Sequence, residues 1–143
     1  MKRSRRFEPV VKVAENREQQ AAQALGEAQA ALTQAQQRLA ELEHYREEYI
    51  QRFHATGAMG MSAAKMLDYR AFLVKLDRAI KEQGLAVEQA GRLVERQRHE
   101  WFSHRGKVKM LDTVVARFQA DEQRDADRKE QGDQDDRAQH TKR

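Results

Sequence analysis

The chain has 143 residues, enough for one ordinary domain, but charged residues make up 35% of it and aromatic residues only 6%, too little bulk to fill a globular core. A single proline and an abundance of Ala, Glu, Gln, Lys, Arg and Leu favour long helices instead. The formal charge of +4 is a small difference between mixed populations of both signs and does not by itself point to nucleic acid, while the absence of cysteine excludes disulfides, thiolate metal sites and a cysteine nucleophile.

At the amino terminus, Met1 to Arg6 is basic, but Phe7-Glu8-Pro9 stands where a secretory signal would need an apolar run. No stretch approaches the roughly 20 apolar residues of a membrane span. A soluble cytoplasmic protein is expected. Pro9 suits a first helical turn, where its missing N–H would have had no partner.

From Val11 a heptad runs unbroken through Ala14, Glu18, Ala21, Leu25, Ala28, Leu32, Ala35, Leu39, Leu42, Arg46, Tyr49 and Phe53. Spacings that alternate between three and four keep one seam facing a partner helix, the pattern of a coiled coil. The first helix is expected over about 8–54. Large residues favour one seam position and alanine the other, which suits a close antiparallel pair. Residues 55–61 carry two glycines and form the expected turn, with Ser62 as the N-cap of the second helix.

A second heptad begins at once: Met66, Tyr69, Leu73, Leu76, Ile80, Gln83, Val87, Ala90, Val94, Gln97, Trp101, His104, Val108, Leu111, Val115 and Phe118. It has no stutter, and the second helix is expected over about 62–120. Gly84 and Gly91 lie one heptad apart beside the seam; they either permit close approach to the first helix or are merely tolerated. The expected fold is all-α, a long antiparallel two-helix coiled coil over 1–125, with a charged, frayed tail over 126–143.

A hairpin turning near Ala58 brings Phe53 to the start of the second helix, Leu39 near Arg78 and Val11 near Gly106. The second helix then outruns the first. In this overhang, about 20 Å long, Val108, Leu111, Val115 and Phe118 become an apolar stripe with no intramolecular cover, beside Met110 and Val114. Such a stripe marks a contact with another chain, or else folds back or self-associates. Lys2, Arg3, Arg5, Arg6, Arg105, Lys107, Lys109 and Arg117 fall at the same end and imply acidic groups on a partner. Nearer the turn, Tyr45, Phe72 and Ala79 widen the apolar band beyond the seam. They are either anchors for a partner or a cover over the hairpin edge.

Catalytic chemistry has little footing. His99 and His104 are five residues apart, whereas two metal ligands on one helix face need a spacing of four. Gly57-Ala58-Met59-Gly60 has neither the lysine nor the strand of a phosphate loop. A two-helix rod also has no cavity in which to desolvate a carboxylate pair. Neither an enzyme activity nor a cofactor is expected.

The run Leu39-Ala40-Glu41-Leu42-Glu43-His44-Tyr45-Arg46-Glu47-Glu48-Tyr49, the glycine-containing turn, and Tyr69-Arg70-Ala71-Phe72 followed by Leu76, Ala79 and Ile80 resemble the FliJ family of flagellar type III export proteins. The resemblance covers roughly Phe7 to Phe118. It implies an antiparallel coiled coil similar to the stalk subunit of rotary ATPases, with no catalytic group of its own. Its open end, here Val108, Leu111, Val115 and Phe118 with Arg5 and Arg6, would enter the ring of the flagellar export ATPase. A lateral patch, carried over as Leu42, Tyr45, Tyr49, Phe72, Leu76 and Ala79, would meet the cytoplasmic domain of the membrane export gate. Arg38 and Gln83 stand where the family carries other polar groups. Export chaperones are further implied partners, and membrane association would be peripheral and indirect. The alternatives are a coiled-coil adaptor with other partners and a nucleic-acid-binding coiled coil, against which the lack of a continuous basic helix ahead of the heptads counts.

Overall fold

The computed structural model describes residues 2–57 and 60–141. It is an all-helical hairpin: α1 (Arg3–Arg6), α2 (Glu8–Thr56) and α3 (Ala63–Thr141), with no strand among the described residues. Phe7 joins α1 to α2 without leaving right-handed helical backbone (φ −83°, ψ −12°), and Val11 N–H donates to the Phe7 carbonyl at 2.9 Å. No helix is long and apolar enough to cross a membrane among the described residues.

The end of α2 is set by Gly57. Its φ of +75° is the left-handed conformation that stops a helix at little steric cost, and its N–H donates back to the His54 carbonyl at 3.3 Å. Ser62 starts α3 as expected: its Oγ accepts from the Lys65 N–H at 3.2 Å, satisfying one of the orphan donors of the first turn. Ala58 and Met59, within the expected turn, lie outside the described residues.

Contacts divide the hairpin into two parts. The turn part is Gln23–His99, and the terminal part is Met1–Ala22 with Glu100–Arg143. In both, every expected seam position is buried or half-buried. The deepest in the turn part are Ala28, Leu76 and Val94, and in the terminal part Ala21. Alanine leads this group because two helices alone bury only a thin seam, and a methyl group is the side chain such a seam can enclose. Apart from Leu76 and Val94, the larger seam residues keep one flank in solvent.

Three polar contacts tie the seam across the pair. In the turn part Arg46 Nε bonds Asp77 Oδ1 at 2.6 Å, and Gln83 Nε2 donates to the Ala35 carbonyl at 3.0 Å. In the terminal part Trp101 Nε1 donates to Glu18 Oε1 at 3.2 Å. Glu18 and Arg46, the two charged positions in the first heptad, thus each find a partner on the second helix.

Two expectations change and one open choice is decided. The register is displaced: Phe53 stacks on Tyr69, ring centroids 3.7 Å apart, rather than on the start of the second helix, and Val11 shares a groove with Asp112 and Val115 rather than lying near Gly106. α3 continues to Thr141, through residues 126–141 expected to fray. Pairs within the helix lead into this stretch, Arg124 with Asp121 ahead of it and Arg128 with Asp125 and Gln123 with Asp127 across its start. Finally, a Cβ at Gly84 or Gly91 would meet nothing within 4 Å, so neither glycine serves a close approach.

Candidate functional site

Two candidate surfaces stand on the hairpin, one in each part. In the turn part an aromatic ladder crosses the seam. Tyr49 packs on Tyr69 at 5.2 Å and on Phe72 at 4.6 Å, and Phe72 meets Tyr45 edge-on at 6.1 Å. Tyr45 and Tyr49 are four residues apart and Tyr69 and Phe72 three, one helical turn in each case, so successive rungs present the rings to one another. Leu42, Tyr49, Phe72 and Ala79 are half-buried, while Leu76 is only 7% exposed and belongs to the seam. Tyr45 remains 43% exposed. Contact with Phe72 makes Tyr45 a cover over the hairpin edge, yet it leaves one face of the ring available. Its exposed neighbour Arg38 lies one heptad earlier. Leu67, Val74 and Leu85 are also exposed apolar side chains in this part, off the seam and not singled out by the heptad.

In the terminal part the structure corrects the uncovered stripe. Val108, Leu111, Val115 and Phe118 are all half-buried, because the chain from Arg3 onward runs alongside them. Phe7 packs on Phe118 with ring centroids 5.3 Å apart, and the Arg3 guanidinium lies over the same ring at 5.8 Å. Ser4 completes the cover: its N–H donates to Glu122 Oε1 at 3.1 Å and its Oγ to Oε2 at 2.8 Å. The Ser4 backbone hydrogen bond, then its side-chain hydrogen bond, hold the Glu122 carboxyl below its ordinary pKa, with Lys2 adding to the effect. The heptad in fact begins at Ser4 and Phe7 and runs past Phe118 to Glu122. A polar serine and glutamate at its ends hid those rungs.

Uncovered apolar surface in this part lies beside the seam instead. Val10 (48% exposed), Val13 (49%) and Met110 (58%) line a groove of about 490 Å³ with Pro9, Ala14, Arg17, His104, Lys107 and Leu111. Arg5 and Arg6 are exposed. Met110 was legible as a flank of the stripe. Val10 and Val13 were readable only as apolar residues out of step with the heptad.

No group of three or more His, Cys, Asp or Glu gathers in metal-binding geometry among the described residues. What both surfaces offer is rigid apolar area edged by charge, the chemistry of protein contact.

No curated protein and no solved structure matches the chain. The family model described as flagellar FliJ protein matches residues 2–143, which is essentially all of it. That match spans both helices, the turn and the charged carboxy-terminal stretch alike, and so the chain belongs to the FliJ family, proteins associated with flagellar export.

Proposed function

We propose that this chain is a non-enzymatic cytoplasmic coupler of flagellar protein export, with two docking surfaces. The terminal part, through Arg5, Arg6 and the rungs Val108, Leu111, Val115 and Phe118, binds the ring of the export ATPase. The lateral patch of Leu42, Tyr45, Tyr49, Phe72, Leu76 and Ala79 binds the cytoplasmic domain of the export gate, and so holds the chain at the cytoplasmic face of the inner membrane. Export chaperones are escorted by the same chain. The mechanism is mechanical and allosteric: one end biases ring assembly or ATPase state while the side engages the gate.

Family membership supports the setting. The observation that carries the two-surface reading is Tyr45, an aromatic ring left 43% exposed while its edge contact with Phe72 restricts its freedom. A side chain already ordered loses little entropy on binding, which is what makes such rings good anchors. Within the patch, Leu76 acts from the seam by supporting the rings rather than by touching a partner.

The covered state of Phe118 changes how the ring contact is tested. Aspartate at Leu111 or Phe118 would disturb the hairpin itself, whereas Arg5 and Arg6 are exposed. In pull-downs against the export ATPase and the gate's cytoplasmic domain, Arg5→Glu with Arg6→Glu is expected to lose the ATPase and keep the gate. Tyr45→Ala is expected to do the reverse. Capture of neither protein by the unaltered chain would reject the assignment.

A further inference from the structure

The groove beside Val10, Val13 and Met110 borders the ring contact proposed above, sharing Leu111 with it, but opens on the flank of the helix pair rather than along the seam. The helix pairing leaves it open: Leu111 forms part of its floor from the seam, while the other three side chains stand about half exposed around it. Arg17 and Lys107 line its edges from α2 and α3. Arg6, seven residues before Val13, and Arg117, seven after Met110, continue the basic edges two turns further along the same helix faces. All four cations are exposed, and none has a carboxylate within salt-bridge distance among the described residues. The nearby Glu100 lies 3.8 Å from His104 instead.

We infer that this groove receives an amphipathic helix of a partner protein, with carboxylates flanking its apolar stripe. A concave slot between two parallel-running ridges matches a helix, whose side chains at i, i+3, i+4 and i+7 descend together. A flat membrane surface would reach the rims and not the floor. A second copy of the chain using this same face would set Arg17 and Lys107 against their own equivalents, and a two-fold interface of that kind repels itself. The carboxy-terminal stretch of α3 supplies carboxylates but no apolar stripe, so it does not fill the slot from its own chain. Unpaired cations around an apolar floor select an acidic helix, and no other occupant satisfies both features. This goes beyond the ring contact proposed above, since it concerns the flank of the terminal part rather than its seam.

The test uses the full chain and two fluorescein-labelled helical peptides that share one leucine stripe, flanked in one by glutamate and in the other by lysine. Anisotropy is expected to show the glutamate peptide binding at least about tenfold more tightly. Val13→Ser with Met110→Ser is expected to weaken that binding about tenfold, with helicity by circular dichroism unchanged because both side chains are exposed. Arg17→Glu with Lys107→Glu is expected to reverse the preference between the peptides.

Equal affinity for the two peptides overturns the inference. So does binding that survives the serine pair, binding to anionic vesicles but to neither peptide, or a dimer in sedimentation that the serine pair abolishes. Loss of peptide binding in the serine pair with capture of the export ATPase intact supports the groove as a separate site. Failure of the chain to capture the ATPase, with peptide binding intact, removes the ring assignment and leaves the groove standing.

Discussion

At the scale of single residues, the heptad was legible because it needed only the period of the apolar side chains, and seam burial follows it in both parts. Partners of polar residues were not legible. Nothing in the local sequence says that Glu18 meets the indole of Trp101 or that Gln83 reaches the Ala35 carbonyl, since those pairs depend on a register set across the turn. The two glycines beside the seam are another case. With no neighbour in the way of an added methyl group, Gly84 and Gly91 contribute only backbone freedom to the unfolded chain. Gly84→Ala and Gly91→Ala are each expected to raise stability by about 1 kcal/mol. The midpoint of thermal unfolding followed by circular dichroism should rise in both, and a fall in either would mean that the glycine is needed for packing after all.

Glu122 gives a pH dependence at the same scale. Its carboxyl is held below its ordinary pKa by the two hydrogen bonds from Ser4, with Lys2 nearby. The ionised form is therefore favoured in the folded chain more than in the unfolded one. That stabilisation is complete above the ordinary carboxylate range and is lost as pH falls through the lowered value. Protection of the Ser4 amide against hydrogen exchange, corrected for the intrinsic rate, is expected to hold at neutral pH and to decline in acid. In Glu122→Gln it should be weaker at neutral pH and nearly flat across the same range. An unchanged profile in that variant would assign the protection to the Phe7 and Phe118 stack instead.

At the scale of elements, the two long helices and the Ser62 cap follow from the sequence, and the ends do not. The reason for α3 is physical. Beyond Glu122 it has no seam residue to bury, so only helix propensity and pairs such as Arg128 with Asp125 support it. A heptad marks a helix by the burial it provides for, and this stretch has none to mark it. An exposed helix held by local pairs opens at far lower free energy than one held by a seam. Amide exchange beyond Ala126 is therefore expected to be orders of magnitude faster than at Leu76 or Val94 under native conditions, although circular dichroism counts the stretch as helical. Equal protection in the two regions would require a partner for residues 126–141. Phe118 is covered because α1 and Phe7 continue the pairing, whereas Val10, Val13 and Met110 are exposed because they stand out of step with the heptad.

At the scale of the whole molecule, the proposed coupling depends on α2 and α3 being continuous through both parts of the hairpin. Seam and partner surfaces can be separated by a change that respects the heptad. Deleting residues 25–31 from α2 together with 87–93 from α3 removes one heptad from each helix. Because Gln83 faces Ala35 and Trp101 faces Glu18, these segments lie across from each other. The phase of the seam is therefore kept on both sides of each junction. Arg5, Arg6, Tyr45 and Phe72 are all retained. Binding to the export ATPase alone, and to the gate's cytoplasmic domain alone, is expected to stay within about threefold of the original, since separated sites contribute nearly independently. If the chain only tethered its two partners, motility would survive as well. A coupler that transmits a bias between them through the helices predicts that motility is lost while both pairwise affinities remain. Restored motility on reinserting one heptad in each helix, with a different sequence but the same seam pattern, would then assign the role to the spacing rather than to any residue in the deleted segments.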